Sequence, residues 1–154
     1  PFYIGQMMSG CFVNGGSRAP GGCLGDEEYV NVMPPAQFLA SYVFFTDLTY
    51  PTTTLTFVRV KTSSGFEDVT LDCLPQPITG WHPVGGSGNY ESATVDLIRG
   101  GAGNGTCQNG PHAAKSKGHF GLTVWGLGDY ASYGYPAGTN AARINDIVIP
   151  PVPN

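Results

Sequence analysis

Glycine and proline recur so often along this chain that long helices cannot form. Glycine provides 23 and proline 13 of the 154 residues, and the longest stretch without either covers residues 36–50. Both residues destabilise the interior of a helix, glycine through backbone entropy and proline through its missing N–H. The stretch 36–50 is itself rich in Phe, Tyr, Val and Thr, which favour strands. Helix bundles and coiled coils are therefore excluded.

Several runs alternate apolar and polar side chains, which is typical of strands with one solvated face. This pattern predicts strands over residues 27–33, 41–46, 54–61, 67–73, 91–99, 119–125, 130–135 and 144–149, with a helical turn within residues 35–41. Ser63-Ser64-Gly65 predicts a tight hairpin leading into the strand over residues 67–73. The inward-facing side chains are predicted to form one core: Val69, Leu71, Val95, Leu97, Phe120, Leu122 and Val124.

This spacing of strands and turns predicts the fold class. We expect an all-β fold, an antiparallel β-sandwich or jelly roll of about eight short strands. A chain of 154 residues accommodates one such domain, so residues 1–154 are interpreted as a single domain.

Charge and hydropathy exclude two classes of partner. The formal net charge is −4, and the nearest approach to a basic stripe is the pair Lys115 and Lys117, so no nucleic-acid partner is expected. No apolar run is long enough to span a bilayer as a helix, so no membrane span is expected either.

The four cysteines indicate an extracellular or cell-surface location. Cys11, Cys23, Cys73 and Cys107 lack the closely spaced pairs of zinc sites, and an even number suits disulfides. Three connectivities are open, besides four free thiols. We favour the disulfides Cys11–Cys23 and Cys73–Cys107, which would cross-link the sandwich.

An N-glycosylation sequon begins at Asn104, which is consistent with secretion.

No catalytic, metal or cofactor motif survives inspection. The glycine-rich segments 85–89 and 126–131 lack the helix that a nucleophile elbow or a dinucleotide site needs, so both are interpreted as turns. His82, His112 and His119 are far apart in sequence, and residues 26–28 lack the alternating pattern of a calcium loop. A pair of glycosidase carboxylates would leave no local pattern, and nothing argues for one. We therefore expect no enzyme, no cofactor and no metal.

Two tyrosines near the end of the chain lie two positions apart. Tyr133 and Tyr135 therefore share one face of a predicted strand. They are interpreted as part of a packed sheet face, and the alternative is a sugar-stacking platform that they form together with Tyr130.

A set of short motifs resembles one protein family. The motifs are Val124-Trp125-Gly126, the segment 132–138 (SYGYPAG) and Ile144-Asn145-Asp146, with weaker similarity upstream from Cys23. Over roughly residues 23–151 the chain is similar to the IgGFc-binding protein N-terminal domain, and most similar to its bacterial members. Many relatives have an aromatic residue in place of Leu127. The resemblance implies an extracellular domain without catalytic residues, and the match covers the later part of a longer domain.

Two functions follow from these observations. The first expectation is a non-catalytic extracellular structural protein that is a subunit of a fibre or surface assembly. This assembly would be a homo-oligomer or polymer in which neighbouring chains exchange strands. The donating tails would be residues 1–10 and 147–154, through Phe2, Tyr3 and Ile4 or through Ile147, Val148 and Ile149, because these segments are apolar and uncharged. The alternative is a secreted adhesive or ligand-binding module for a glycan or a protein.

Overall fold

The computed structural model describes residues 4–8 and 24–140, and its strands pair antiparallel. Within these residues the strands are β1 (Gly5–Met8), β2 (Glu28–Asn31), β3 (Leu39–Phe45), β4 (Thr52–Val60), β5 (Val69–Leu71), β6 (His82–Pro83), β7 (Tyr90–Arg99), β8 (Ala102–Gly103), β9 (Pro111–Gly128) and β10 (Ala131–Pro136). One turn of 3-10 helix (Pro35–Gln37) precedes β3, inside the predicted helical turn. The predicted all-β fold is confirmed.

The eight strands β3 to β10 form one hydrogen-bonded sheet, and its two parts, which we call the first and the second layer, share the long strand β9. Its first part pairs with β3 and β5, and its second part pairs with β4 and β10. The ladder with β3 is irregular between these parts, because Ser41 pairs with Lys115 whereas Leu39 pairs with Phe120. Strand β7 extends the second layer beyond β4, and the short strands β6 and β8 pair with β7.

Both layers bury one face in a common hydrophobic core. The largest fully buried side chains include Phe57 and Phe120, whose ring centroids lie 6.1 Å apart. All seven residues predicted from the alternation belong to this cluster, which confirms the predicted core: Val69, Leu71, Val95, Leu97, Phe120, Leu122 and Val124.

A separate two-stranded sheet covers the outer face of the second layer. Strands β1 and β2 pair with each other, and Val30 of β2 is buried. A Cβ atom at Gly134 would lie 2.7 Å from both the Trp125 ring and the Val30 side chain. The glycine therefore allows β10 to lie beneath this hairpin. This cover explains why both faces of β9 are largely buried beyond Phe120.

One predicted strand pairing is wrong. Thr62 and Gly65 form the expected tight turn, and Gly65 has a φ of 110°. The strand that follows does not return along β4, however, because β5 crosses to pair with β9. In that position Val69 and Leu71 are buried in the shared core.

The alternation pattern missed four pieces of strand. They are β1, β6, β8 and the first part of β9. In the first part of β9, charged and small residues follow one another without a regular apolar period. The predicted strand over residues 144–149 lies outside the described residues.

The disulfide between Cys73 and Cys107 is present, with an S–S distance of 2.04 Å. Cys11 and Cys23 lie outside the described residues, so their pairing stays a prediction. Over residues 4–8 and 24–140, no helix is long and apolar enough to cross a membrane.

Candidate functional site

The most exposed apolar surface of the first layer lies on and beside β3. Val43 is 79% exposed, Phe45 is 53% exposed, and Leu48 in the following turn is 69% exposed. Pro111 and Ala113 pair with Phe45 and Val43 in the neighbouring strand β9, so they share this face. We call these five residues the β3 face. Because large exposed apolar patches mark interaction sites, the β3 face is the first candidate for binding.

The sequence of β3 places apolar side chains on both faces of the strand. Tyr42 and Phe44 are buried and anchor the strand in the core, while Val43 and Phe45 project outward. Core packing needs only the inward set, so the outward pair is not explained by folding alone. The run of apolar residues at successive positions in 42–45 was the sequence signal for this surface, and alternation analysis overlooked it.

Two tyrosine hydroxyls of β10 fix the end of β3. The N–H of Phe45 donates to the Tyr135 hydroxyl at 3.2 Å, and that hydroxyl donates to the carbonyl oxygen of Phe45. The N–H of Asp47 donates to the Tyr133 hydroxyl at 3.0 Å. The two rings stack with centroids 6.2 Å apart and pack against the core. The predicted packed face of Tyr133 and Tyr135 is confirmed.

Burial raises the pKa of the Tyr133 and Tyr135 hydroxyls above the ordinary value of 10.0. The folded state therefore favours the neutral phenols, and this contribution to stability is complete below about pH 10. It is lost as the pH rises through the folded-state pKa values, because the unfolded chain releases these protons first.

We expect the melting temperature to fall between about pH 9 and about pH 11, and to fall less in a Tyr133→Phe/Tyr135→Phe variant. Calorimetry across this range tests the expectation, with Tyr90→Phe as the control for loss of a tyrosine outside the contact. An equal fall in the double variant and in the wild type would contradict it.

A buried histidine links the segments on either side of the disulfide. His112 Nδ1 lies 2.9 Å from Asp72 Oδ1, and its Nε2 lies 2.6 Å from the carbonyl oxygen of Gln108. Asp72 Oδ2 also accepts the N–H of Ala113 at 2.9 Å. Asp72 precedes Cys73 and Gln108 follows Cys107, so these contacts hold together the same two segments as the disulfide.

Among the described residues, one group has metal-ligand atoms close together. The group is Asp72, Cys73 and His112, with those atoms within 4.8 Å of one another. The sulfur of Cys73 is bonded to Cys107, which removes the thiolate that a metal would need. The contacts of His112 are therefore structural. His82 and His119 are exposed on other parts of the sheet, so the structure does not bring the three histidines together.

A narrow groove runs between β2 and the outer face of the second layer. Its lining includes the apolar residues Val32, Met33 and Phe38 and the polar residues Thr56 and Thr123. Its volume is about 100 Å³, whereas pockets that enclose drug-sized ligands measure roughly 300–1,000 Å³. The groove is therefore too small to enclose such a ligand.

The remaining residues singled out from the sequence are dispersed. Asn104 is exposed in the turn after β8, and Thr106 of its sequon donates a hydrogen bond to the carbonyl oxygen of Cys73 at 2.9 Å. Ile4 is exposed just before β1, and its carbonyl oxygen accepts the N–H of Val32. The other residues assigned to strand donation lie outside the described residues: Phe2, Tyr3, Ile147, Val148 and Ile149.

The two glycine-rich segments that were interpreted as turns, 85–89 and 126–131, each connect two strands. Residues 85–89 connect β6 to β7, and the segment 126–131 forms the end of β9, a turn and the start of β10. Tyr130 in that turn has a φ of 51°, the left-handed region that favours glycine. Neither segment leads into a helix, so both are turns as predicted.

Comparison with known proteins gives one match. A family model described as IgGFc binding protein matches residues 1–126, whereas no curated protein and no solved structure is significantly similar to the chain. The matched region begins earlier than the resemblance seen in the sequence and ends before the motifs at residues 132–138 and 144–146. It supports the family without confirming a bacterial type of member.

Proposed function

The chain belongs to the IgGFc-binding protein family, and from this premise we propose that it is a non-catalytic extracellular module that binds a protein ligand through the β3 face. The observation that carries the proposal is the outward pair Val43 and Phe45, which is exposed although the same strand buries Tyr42 and Phe44. Protein interfaces enrich aromatic side chains at their centre, and Phe45 would be that anchor.

The shape of the β3 face suits a protein rather than a small ligand. The surface lies on the outer side of β3 and β9, and Lys115 borders it opposite Ser41. An apolar centre with a charged border is the usual arrangement of a protein-binding patch. A glycan ligand would instead require exposed aromatic rings beside polar groups, and Tyr133 and Tyr135 use their hydroxyls to bond the backbone of the chain itself.

The extracellular location rests on the disulfide and on the family. Disulfides persist in oxidising compartments, and Cys73–Cys107 is formed. The sequon residue Asn104 is exposed, so an N-glycan attached there would extend into solvent.

The family description supplies the first ligand to test, the Fc fragment of immunoglobulin G. We expect the folded chain to bind immobilised Fc, and a Val43→Ser/Phe45→Ser variant to bind at least about tenfold more weakly, because both outward side chains lose their apolar contact. Surface plasmon resonance measures both affinities. Val84→Ser removes a different exposed apolar side chain and is the matched control.

Each outcome of this binding experiment decides one part of the proposal. Absence of binding by the folded wild type overturns Fc as the ligand. Equal binding by the double variant and by the wild type overturns the β3 face as the site. Weakening by Val84→Ser alone would place the binding surface near β6 instead.

The fibre expected first from the sequence is not carried into the proposed function. It requires residues 1–10 or 147–154 of one chain to pair with a strand of the next, and the family supports binding rather than polymerisation. The described part of the N-terminal tail pairs with β2 of its own chain through β1. Sedimentation of the full chain distinguishes a polymer from a monomeric module.

A further inference from the structure

A cavity adjoins the glycosylation sequon that begins at Asn104. It is lined by residues 74–79, by residues 94–96 of β7 and by Asn104 itself, and we call it the sequon cavity. Its volume is about 440 Å³, within the range of roughly 300–1,000 Å³ that is usual for pockets that enclose small organic ligands. The acceptor residue of the sequon is therefore part of a cavity large enough for a sugar.

The fold fixes the sequon relative to this cavity. The carbonyl oxygen of Asn104 accepts the N–H of Cys107 at 3.1 Å, which closes the turn that carries the sequon. The Thr106 hydroxyl donates to the carbonyl oxygen of Cys73 at 2.9 Å, and the disulfide joins Cys73 to Cys107. Because Cys73 directly precedes the lining segment 74–79, the turn and the cavity wall are held together by two separate links.

The lining of the sequon cavity combines apolar and polar groups. Its apolar residues include Leu74, Pro75 and Pro77, and its polar residues include Thr94 and Asp96. A pyranose ring has the same division, since its faces carry C–H groups and its rim carries hydroxyls. The apolar side chains can cover a ring face, whereas the polar ones can bond the hydroxyls at the rim.

Asp96 is held in position as a hydrogen-bond acceptor. Its Oδ1 accepts the Thr54 hydroxyl at 2.9 Å, and its Oδ2 accepts the Nε–H of Arg99 at 2.7 Å. Each oxygen of a carboxylate has a second lone pair, so Asp96 can accept a sugar hydroxyl and keep both contacts. A group that is already held in place loses little freedom when it binds, which favours binding.

From this arrangement we propose that Asn104 carries an N-linked glycan and that the innermost N-acetylglucosamine of this glycan occupies the sequon cavity. The donor is an oligosaccharide joined through a diphosphate to a lipid carrier. The bond between C1 of the sugar and the phosphate oxygen breaks, and C1 bonds Nδ2 of Asn104. The Nδ2 atom loses one proton, and the lipid diphosphate leaves. The outer sugars continue from the cavity into solvent.

Tethering favours the chain's own glycan over a free saccharide as the occupant. A sugar joined to Asn104 is held beside the cavity at an effective concentration in the millimolar range or above. A free saccharide has to reach that concentration in solution to compete. The inference rests on the extracellular location of the chain and is independent of Fc as the ligand.

Mass spectrometry of the full chain, secreted from eukaryotic cells, tests the modification. The sequence contains one N-x-S/T sequon, so we expect one glycan, on the peptide that contains Asn104. An endoglycosidase that cleaves after the innermost sugar then leaves a single N-acetylglucosamine for the experiments below. A secreted chain that carries no glycan at Asn104 overturns the proposal.

Nuclear magnetic resonance of the trimmed glycoprotein tests the position of the sugar. We expect nuclear Overhauser effects between the acetyl methyl group or the ring protons of the sugar and the side chains of Pro77 and Thr94, which line the cavity. A sugar that shows such effects only with Asn104 and its neighbours in sequence overturns the position in the cavity.

Stability gives a second measurement of the same contact. We expect the single sugar to lower the equilibrium constant for unfolding at least about fivefold relative to an Asn104→Gln variant, the factor expected from burial of about 40 Å² of apolar surface. Urea denaturation of the two chains measures this ratio. A ratio near one overturns the proposal, because a sugar in contact with the lining has to stabilise the folded state.

A sequon in another turn provides the matched control. Gly85→Asn in the Asn104→Gln background creates a sequon with Ser87, at a position where φ is 66° and an added Cβ meets nothing within 4 Å. Asparagine is among the residues that adopt this backbone region most readily. One sugar there should change the unfolding constant less than about twofold relative to the same chain with Ser87→Ala. Equal stabilisation at the two positions overturns the role of the cavity.

The glycan and the proposed function can fail separately. Asn104→Gln leaves Val43 and Phe45 of the β3 face unchanged, so we expect it to bind immobilised Fc as the glycosylated chain does. Loss of Fc binding in this variant would overturn the independence of the sequon cavity from the β3 face. Loss of binding in Val43→Ser/Phe45→Ser should leave the sugar contacts with Pro77 and Thr94 intact, and their disappearance would likewise overturn it.

Discussion

Replacement of Phe120 by alanine is expected to lower the free energy of unfolding by about 3–5 kcal/mol, among the largest effects of any single substitution in this chain. Phe120 is fully buried, and its ring contacts Tyr42 edge-on at a centroid distance of 4.9 Å. It lies where β9 passes from the first layer to the second, and its backbone carbonyl accepts the Tyr42 hydroxyl at 2.6 Å.

The expected loss in the free energy of unfolding has two causes. The removed ring atoms lose their burial, and a cavity remains because Phe57 and Tyr42 approach from both layers and cannot both move inward. Urea denaturation followed by tyrosine fluorescence measures the change. Val84→Ala, which shortens an exposed side chain, is the control and should change stability by less than about 0.5 kcal/mol. A similar small change for Phe120→Ala would contradict the assignment of the shared core.

The alternation of side chains predicted the strands that carry the core. Val69 with Leu71 and Val95 with Leu97 repeat at two-residue intervals, and a strand packed on one side requires that period. Pairing between strands was less predictable, because it depends on which partner completes the core. The turn at Thr62 and Gly65 indicated a local hairpin with β4. Strand β5 instead crosses to β9, because both of its apolar residues are buried in the core in that position.

The candidate site was not predicted from the sequence for a related reason. Alternation analysis assigns each strand one wet and one dry face, so it overlooked the unbroken apolar run 42–45, which includes the outward Val43 and Phe45. Their exposure became evident only when the pairing of β3 with β9 fixed which face points to the core. The Tyr133 and Tyr135 pair shows the opposite case, since its spacing alone predicted a shared packed face.

Removal of the disulfide in a Cys73→Ala/Cys107→Ala variant is expected to lower the free energy of unfolding by about 4 kcal/mol. The two cysteines are 34 residues apart, and closing a loop of that length restricts the unfolded chain by about this amount at 25 °C. Urea denaturation of the variant and of the wild type measures the difference.

The effect of the disulfide should lie in the unfolded state, because other contacts hold the same segments in the folded one. His112 bonds Asp72 and Gln108 beside the two cysteines, and Thr106 bonds the carbonyl oxygen of Cys73. We therefore expect the near-UV circular dichroism of the folded variant to resemble that of the wild type apart from the disulfide signal. A His112→Ala substitution in the disulfide-free background should then abolish that spectrum, whereas His119→Ala, an exposed histidine on the same strand, should preserve it. A loss of less than about 1 kcal/mol on removing the disulfide would contradict the loop-closure argument, since the unfolded chain would then already hold these segments together.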